Sequence, residues 1–223
     1  MLGTKNKTEI TQKAFQLLQS TLKEDYTGHD HWHGYRVWKT ALHIAEKEGI
    51  KDEKSILVIE LSAILHDVID FKLNTGWDES RLKSWMDENA GEEISEHVLS
   101  VIKNISFKGA GVKDQMSTEE GKIVQDADRL DALGAIGIAR VFATGAYFKR
   151  PIYDPEVEHT LHADEKAYTS REKGNSINHF HEKLFLLKDR MHTATGKEIA
   201  EQRDKYMHEF LDRFLEEWEG KDF

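Results

Sequence analysis

Apolar residues recur along most of the chain at spacings of three and four, the period of a helix with one buried face. Ile10, Ala14, Leu17, Leu18 and Leu22 form one stripe, with Thr8 as a candidate N-cap. Val37, Ala41, Ile44 and Ala45 form a second, which stops near Gly49. A third starts after Asp52 and stacks Ile56, Ile59 and Ala63. Asp78 can cap a short helix carrying Leu82, Trp85 and Met86, and Ile94, Val98, Val101, Ile102 and Ile105 follow from Glu92. Ile123, Ala127 and Leu130 mark a helix from Glu119. Ser176 opens another with Ile177, Leu184, Leu187 and Met191, and a last one from about Gly196 shows Ile199, Met207, Phe210 and Phe214. No segment alternates with period two between hairpin turns. The pattern predicts an all-α fold, a single-domain bundle of about eight helices. Two long connections interrupt it, 108–118 and 145–175, the second holding both prolines, Pro151 and Pro155. Connections of that length in a compact domain are often functional.

Polar residues on the inward faces carry the chemistry, because an unpaired buried charge is costly. His33 lies one turn before Val37 and shares its face. His66 and Asp67 continue the third stripe, and Asp70 follows one turn later if that helix persists. Asp128 lies one turn after Val124, with Asp131 three residues beyond, and Arg203 falls between Ile199 and Met207. Taken singly, each reads as a hydrogen-bonded core residue or a cap. Together, two histidines and several aspartates on three helices suit a metal of intermediate hardness, such as Mn²⁺, Fe²⁺, Co²⁺, Ni²⁺ or Zn²⁺. In the run His29-Asp30-His31-Trp32-His33, spacing puts only His33 on the apolar stripe. His29 and His31 read as loop or pocket-rim residues.

Composition sharpens this picture. The chain has 223 residues and no cysteine, with 31 Lys+Arg against 41 Asp+Glu, a net charge of −10. The absence of cysteine excludes disulfides, thiolate metal sites and cysteine nucleophiles, and suits a reducing cytoplasm. No apolar run approaches the ~18–20 residues of a membrane span, and the N-terminus lacks the apolar core of a signal peptide. The acidic balance argues against polymeric nucleic acid and anionic membranes as partners. It does not exclude small anions if a local cation reverses the sign.

Three segments complete the argument. HDHWHGYRVWKTALHIA supplies His33 in an Asp-x-x-His-x-x-Arg-Val setting, ILHDVIDFK supplies His66–Asp67, and IVQDADRLDALGAIGIAR supplies Asp128. In order, these resemble the H…HD…D signature of the HD-domain metal-dependent phosphohydrolases, over about residues 30–140. NISFKG, KRPIYDP, NHFHEKL and the run 188–203 extend the resemblance to small bacterial members of about this length. Some of those are similar to nucleoside triphosphate pyrophosphohydrolases.

The resemblance implies His33, His66, Asp67 and Asp128 as ligands of one divalent metal. Mn²⁺ is the first choice, with Fe²⁺, Co²⁺, Ni²⁺ or Mg²⁺ as alternatives. Asp70 stands where a catalytic carboxylate follows the His-Asp pair in alarmone hydrolases of the superfamily. Those have Glu-Asp there; here the pair is Asp70–Phe71, so the second carboxylate is lost. Phosphoryl transfer needs cations around the metal, and the candidates are Arg36, Lys72, Lys108, Lys183 and Arg203. For Arg36 and Arg129 the competing role is pairing with inward carboxylates. Phe180, Tyr147 and Tyr153 are candidates for stacking on a base, and His97 for the pocket, each against an ordinary place in the core. The C-terminal helices, 176–218, are expected to complete the pocket. The expected activity is pyrophosphate release from a nucleoside triphosphate. Phosphomonoesterase action on a nucleoside monophosphate is the alternative, with alarmone hydrolysis third. A catalytically silent nucleotide-binding or regulatory module is the contrasting class. Helical surfaces at the termini could pair two chains as a homodimer.

Overall fold

The structure, a computed structural model, describes residues 4–70, 73, 75–107, 109–161 and 174–223. Among them every regular element is helical. Helices α1 (Thr4–Leu22), α2 (His31–Lys47), α3 (Glu53–Leu65), α4 (Glu79–Ala90) and α5 (Glu92–Ile105) come first. Then follow α6 (Glu119–Asp131), α7 (Gly134–Tyr147), a π-helical turn (Phe180–Leu184), α8 (Phe185–Leu187), a 3₁₀ turn (Lys188–Arg190) and α9 (Ala194–Trp218). The chain divides into two compact units, residues 1–107 with 114–128, and residues 108–113 with 129–223. No helix among the described residues is long and apolar enough to cross a membrane.

In the first unit α3 packs against α1, α2 and α5, and α4 packs against α5. A single apolar stripe was expected for α3, yet every residue from Leu57 to Leu65 is buried. EKSILVIELSAIL is apolar nearly all round, which is the composition of a helix enclosed by others. Its start is fixed by Asp52, whose carboxylate accepts from the Ser55 amide at 2.8 Å. Asp78 caps α4 in the same way, through the Arg81 amide at 2.8 Å. Thr8 does not open α1, because the helix is already formed at Thr4.

The second unit departs further from the expected pattern. Helix α7 falls where no helix was expected, and α9 packs against it. The buried face of α7 consists of Gly134, Gly137, Ile138, Val141 and Gly145, so three of its five positions carry no apolar side chain to read. Gly137 is required there, since a Cβ would collide with the carbonyl of Ala132. The helix expected from Ser176 is instead a π turn, a short α segment and a 3₁₀ turn, and Asn175 rather than Ser176 accepts the Asn178 amide, at 2.8 Å. Phe180 and Phe185 explain the widened turn. In an α-helix, residues five apart point about 140° from each other. The i→i+5 bond from the Phe185 amide to the Phe180 carbonyl brings their rings to 5.9 Å. Phe180 is fully buried between Phe142 and Phe210, so it serves the core and is not exposed to a nucleobase. Tyr153 packs on Phe214 and Trp218, while Tyr147 is exposed beside Phe148.

Candidate metal centre

The ends of three helices in the first unit converge on one small volume. His33 stands in the first turn of α2, where Asp30 accepts its amide at 2.9 Å and so fixes where the helix begins. One residue on, a methyl group at Gly34 would meet Leu18 at 2.5 Å and the Ile64 carbonyl at 3.4 Å. Glycine at this point therefore lets α2 approach the C-terminal end of α3. His66 caps that end, and Asp67 follows in a turn closed by the bond from the Asp70 amide to the Asp67 carbonyl, 3.1 Å. Asp128 lies in α6. One turn earlier, fully buried Gln125 donates its Nε2 to the carbonyls of Asn104 and Ile105, both at 3.0 Å, which holds α6 against the end of α5.

The donor atoms face one another closely. His33 Nε2 is 3.1 Å from His66 Nε2, 3.5 Å from Asp67 Oδ2 and 3.4 Å from Asp128 Oδ1. His66 Nε2 is 3.4 Å from Asp67 Oδ1 and 3.7 Å from Asp128 Oδ1. His33, His66 and Asp128 offer ligand atoms within 4.8 Å of one another, as do His29, His33 and Asp67. Donors at about 2.1 Å from one ion, placed at right angles, lie about 3.0 Å apart, so these spacings fit ligands around a shared cation. The tautomer fits as well. His66 donates Nδ1–H to the Ala63 carbonyl at 2.9 Å, which leaves the Nε2 lone pair bare and aimed inward. Two imidazoles and two carboxylates form a donor set suited to a divalent ion of intermediate hardness.

Electrostatics prepare the carboxylates for that role. Burial pushes the Asp67 carboxyl up, but His66, His29 and His33 together hold it well below its usual range. For Asp128 burial likewise pushes up, while the His33 hydrogen bond and the charges of His66 and His33 bring it down to about 2. Both therefore remain anionic whenever a metal could bind. A depressed carboxyl stabilises the folded chain above its unfolded value of 3.8, and the contribution is lost as pH falls through about 2. The stability difference between metal-free wild type and Asp128→Asn is accordingly expected to narrow from pH about 4 to about 2 in denaturant titrations. A difference that stays constant across that interval would contradict the arrangement.

The other sequence candidates are placed as follows. Helix α3 does not persist to Asp70, which is half-buried at the end of that turn and outside both donor groups. Arg36 is half-buried in α2, one turn after His33. Lys72 and Lys108 lie outside the described residues, as does Phe71. Lys183, in the π turn, and Arg203, in α9, belong to the second unit. Arg203 donates to the Leu130 carbonyl, and burial lowers its pKa against the pull of Asp131. Asp131 does not join the cluster; it forms a buried ion pair with Arg140 at 2.9 Å. Arg129 donates to the Arg190 carbonyl. His97 Nε2 sits 3.5 Å from Glu120, within the first unit. His29, read from the sequence as a loop or pocket-rim residue, brings its Nδ1 to 2.9 Å from Asp67 Oδ2. It precedes α2, so helical periodicity could not assign it a face.

Known proteins share this architecture. A family model described as HD domain matches residues 32–133. The chain is 36% identical over 213 residues to YpgQ of Bacillus subtilis, covering 92% of each. A protein of Lactobacillus plantarum superimposes with a TM-score of 0.82 at 35% identity, covering 99% of this chain and 100% of that one. An HD-superfamily hydrolase from Bacillus thuringiensis matches with a TM-score of 0.71 at 40% identity, over 96% of this chain and 98% of the other. The crystal structure of YpgQ in complex with ADP matches with a TM-score of 0.72 at 31% identity, over 93% and 96%.

Proposed function

The chain belongs to the HD domain family of hydrolases, and from that premise we propose that it is a nucleoside triphosphate pyrophosphohydrolase, releasing a nucleoside monophosphate and pyrophosphate. One observation carries the choice of a nucleotide. YpgQ, similar over nearly the whole chain, was crystallised with ADP, whose phosphoanhydride is the kind of bond this reading assigns. His33, His66, Asp67 and Asp128 would hold one divalent ion, Mn²⁺ by preference. Bound there, the ion supplies Lewis acidity and lowers the pKa of a water.

The chain's own residues supply the rest. Water adds at the α-phosphorus, the bond to the bridging oxygen breaks, and pyrophosphate departs. Asp70 is assigned to take the proton from that water or to hold it in line, three residues after Asp67. Arg36 is assigned to the phosphate oxygens, where a fixed guanidinium fork suits both charge and geometry. Lys183 and Arg203 are further phosphate contacts under the same proposal.

The test is a product analysis. With Mn²⁺ and a panel of nucleoside triphosphates and monophosphates, mass spectrometry is expected to show monophosphate and pyrophosphate in equal amounts from the triphosphates. Inorganic phosphate as the sole released ion, from monophosphates, would instead make the chain a phosphomonoesterase. Nucleotide binding with neither product would make it a regulatory module.

A further inference from the structure

His29 stands outside the four-residue signature, yet it makes a contact with a signature residue at hydrogen-bond distance. Its Nδ1 is 2.9 Å from Asp67 Oδ2, while the other oxygen, Oδ1, faces His66 at 3.4 Å. An ionised carboxylate has no proton to give, so the imidazole nitrogen must donate. A ring nitrogen carrying that proton has no lone pair for a metal. With Nδ1 so engaged, His29 could reach an ion only through Nε2; it falls in the donor group with His33 and Asp67 and outside the one formed by His33, His66 and Asp128.

The loop holding His29 is itself built. Asp25 Oδ1 accepts the Thr27 amide at 2.8 Å, the Thr27 hydroxyl at 2.7 Å and the His29 amide at 3.0 Å. The His29 ring then packs edge-on against His33, with centroids 5.4 Å apart. The imidazole is thus fixed from its backbone, from its ring face and from its Nδ1. Its side chain is 36% exposed against 10% for Asp67, so it is a border residue rather than part of the core.

We propose that His29 is a positioning residue of the metal centre: it ties down Asp67 through Oδ2 and so presents Oδ1 to the ion. The inference rests on the reading that His33, His66, Asp67 and Asp128 hold a metal. Hydrogen bonds to ligating carboxylates commonly matter about 10–100-fold in metal affinity, because they prepay the ordering of the ligand.

The experiment is calorimetric titration of Mn²⁺ into chelator-treated wild type, His29→Ala and His29→Asn, with helicity checked by circular dichroism. Asparagine places an amide N–H close to where Nδ1 stands, so it keeps the donor and removes the ring. The wild type is expected to bind one ion. His29→Ala is expected to bind one ion about 10–100-fold more weakly, and His29→Asn to recover most of that loss. Wild-type affinity in His29→Ala would overturn the proposal, as would no recovery in His29→Asn. Two ions per wild-type chain, falling to one in His29→Ala, would make His29 a ligand and also overturn it. No binding by wild type would instead overturn the metal-centre reading on which it rests.

Discussion

His66→Ala and Asp67→Ala proteins are expected to lose both bound divalent metal and at least about 10³-fold in turnover while keeping wild-type helicity. The size follows from what a metal contributes to phosphoryl chemistry, several kcal/mol of charge stabilisation, at about 1.4 kcal/mol per tenfold in rate. Helicity should survive because neither side chain belongs to the apolar core. That core is built from α1, α3, α4 and α5, on residues such as Leu18, Leu61, Ile64, Met86 and Val98. His66 lies just past the end of α3, where its Nδ1 donates to the Ala63 carbonyl and its Nε2 faces the cluster. Removing Asp67 takes away the carboxylate that offsets three nearby imidazoles. Elemental analysis of the purified variants reads the metal directly. Unchanged metal content in both would show that the cluster is not the metal centre.

Asp70→Asn separates catalysis from metal binding. Asp70 lies outside the groups of donor atoms that could share an ion, and it sits in a backbone turn anchored by the Asp67 carbonyl. Asparagine is nearly the same size and can neither take a proton nor carry the charge. Metal content is therefore expected to stay at the wild-type level while turnover falls by about 10²–10⁴-fold, the range for loss of a general base. Rate should fall in kcat rather than through KM, since the group is assigned to the reacting water and not to substrate affinity. Loss of metal in this variant would make Asp70 a ligand. Full activity would remove it from the mechanism.

Much of the first unit was legible from the sequence because its signals are ordinary ones. Asp78 is an N-cap in both readings, α3 starts after Asp52 as the pattern predicts, and α5 has the apolar period of a helix with one buried face. The order of His33, His66–Asp67 and Asp128 likewise pointed to a cluster, since charged residues on buried faces need a common explanation. What escaped did so for physical reasons. Helix α7 hides its inward face in Gly134, Gly137 and Gly145, which leave no hydrophobic pattern. The π turn follows from a pair of phenylalanines five apart, whose shared burial depends on tertiary neighbours such as Phe142 and Phe210. Asp131 looked equivalent to Asp128 on one helical face, but its partner, Arg140, comes from the next helix. His29 reads from the sequence as a loop or pocket-rim residue, but its contact with Asp67 appears only in three dimensions.

The charge balance also finds a local meaning. A net charge of −10 describes the whole chain, whereas the centre pairs two carboxylates with His33, His66 and His29 in a volume that fits a dication. A bound divalent ion would turn this acidic chain locally attractive to a polyphosphate.

The central claim is that this cluster, once loaded, carries out the hydrolysis. Its most direct test is Mn²⁺ titrated into chelator-stripped wild type and His66→Ala, with pyrophosphate release from a nucleoside triphosphate followed in the same samples. Release restored by Mn²⁺ in wild type and absent from His66→Ala is the predicted result. Release that needs no added metal after stripping, or that proceeds equally in both proteins, would contradict it.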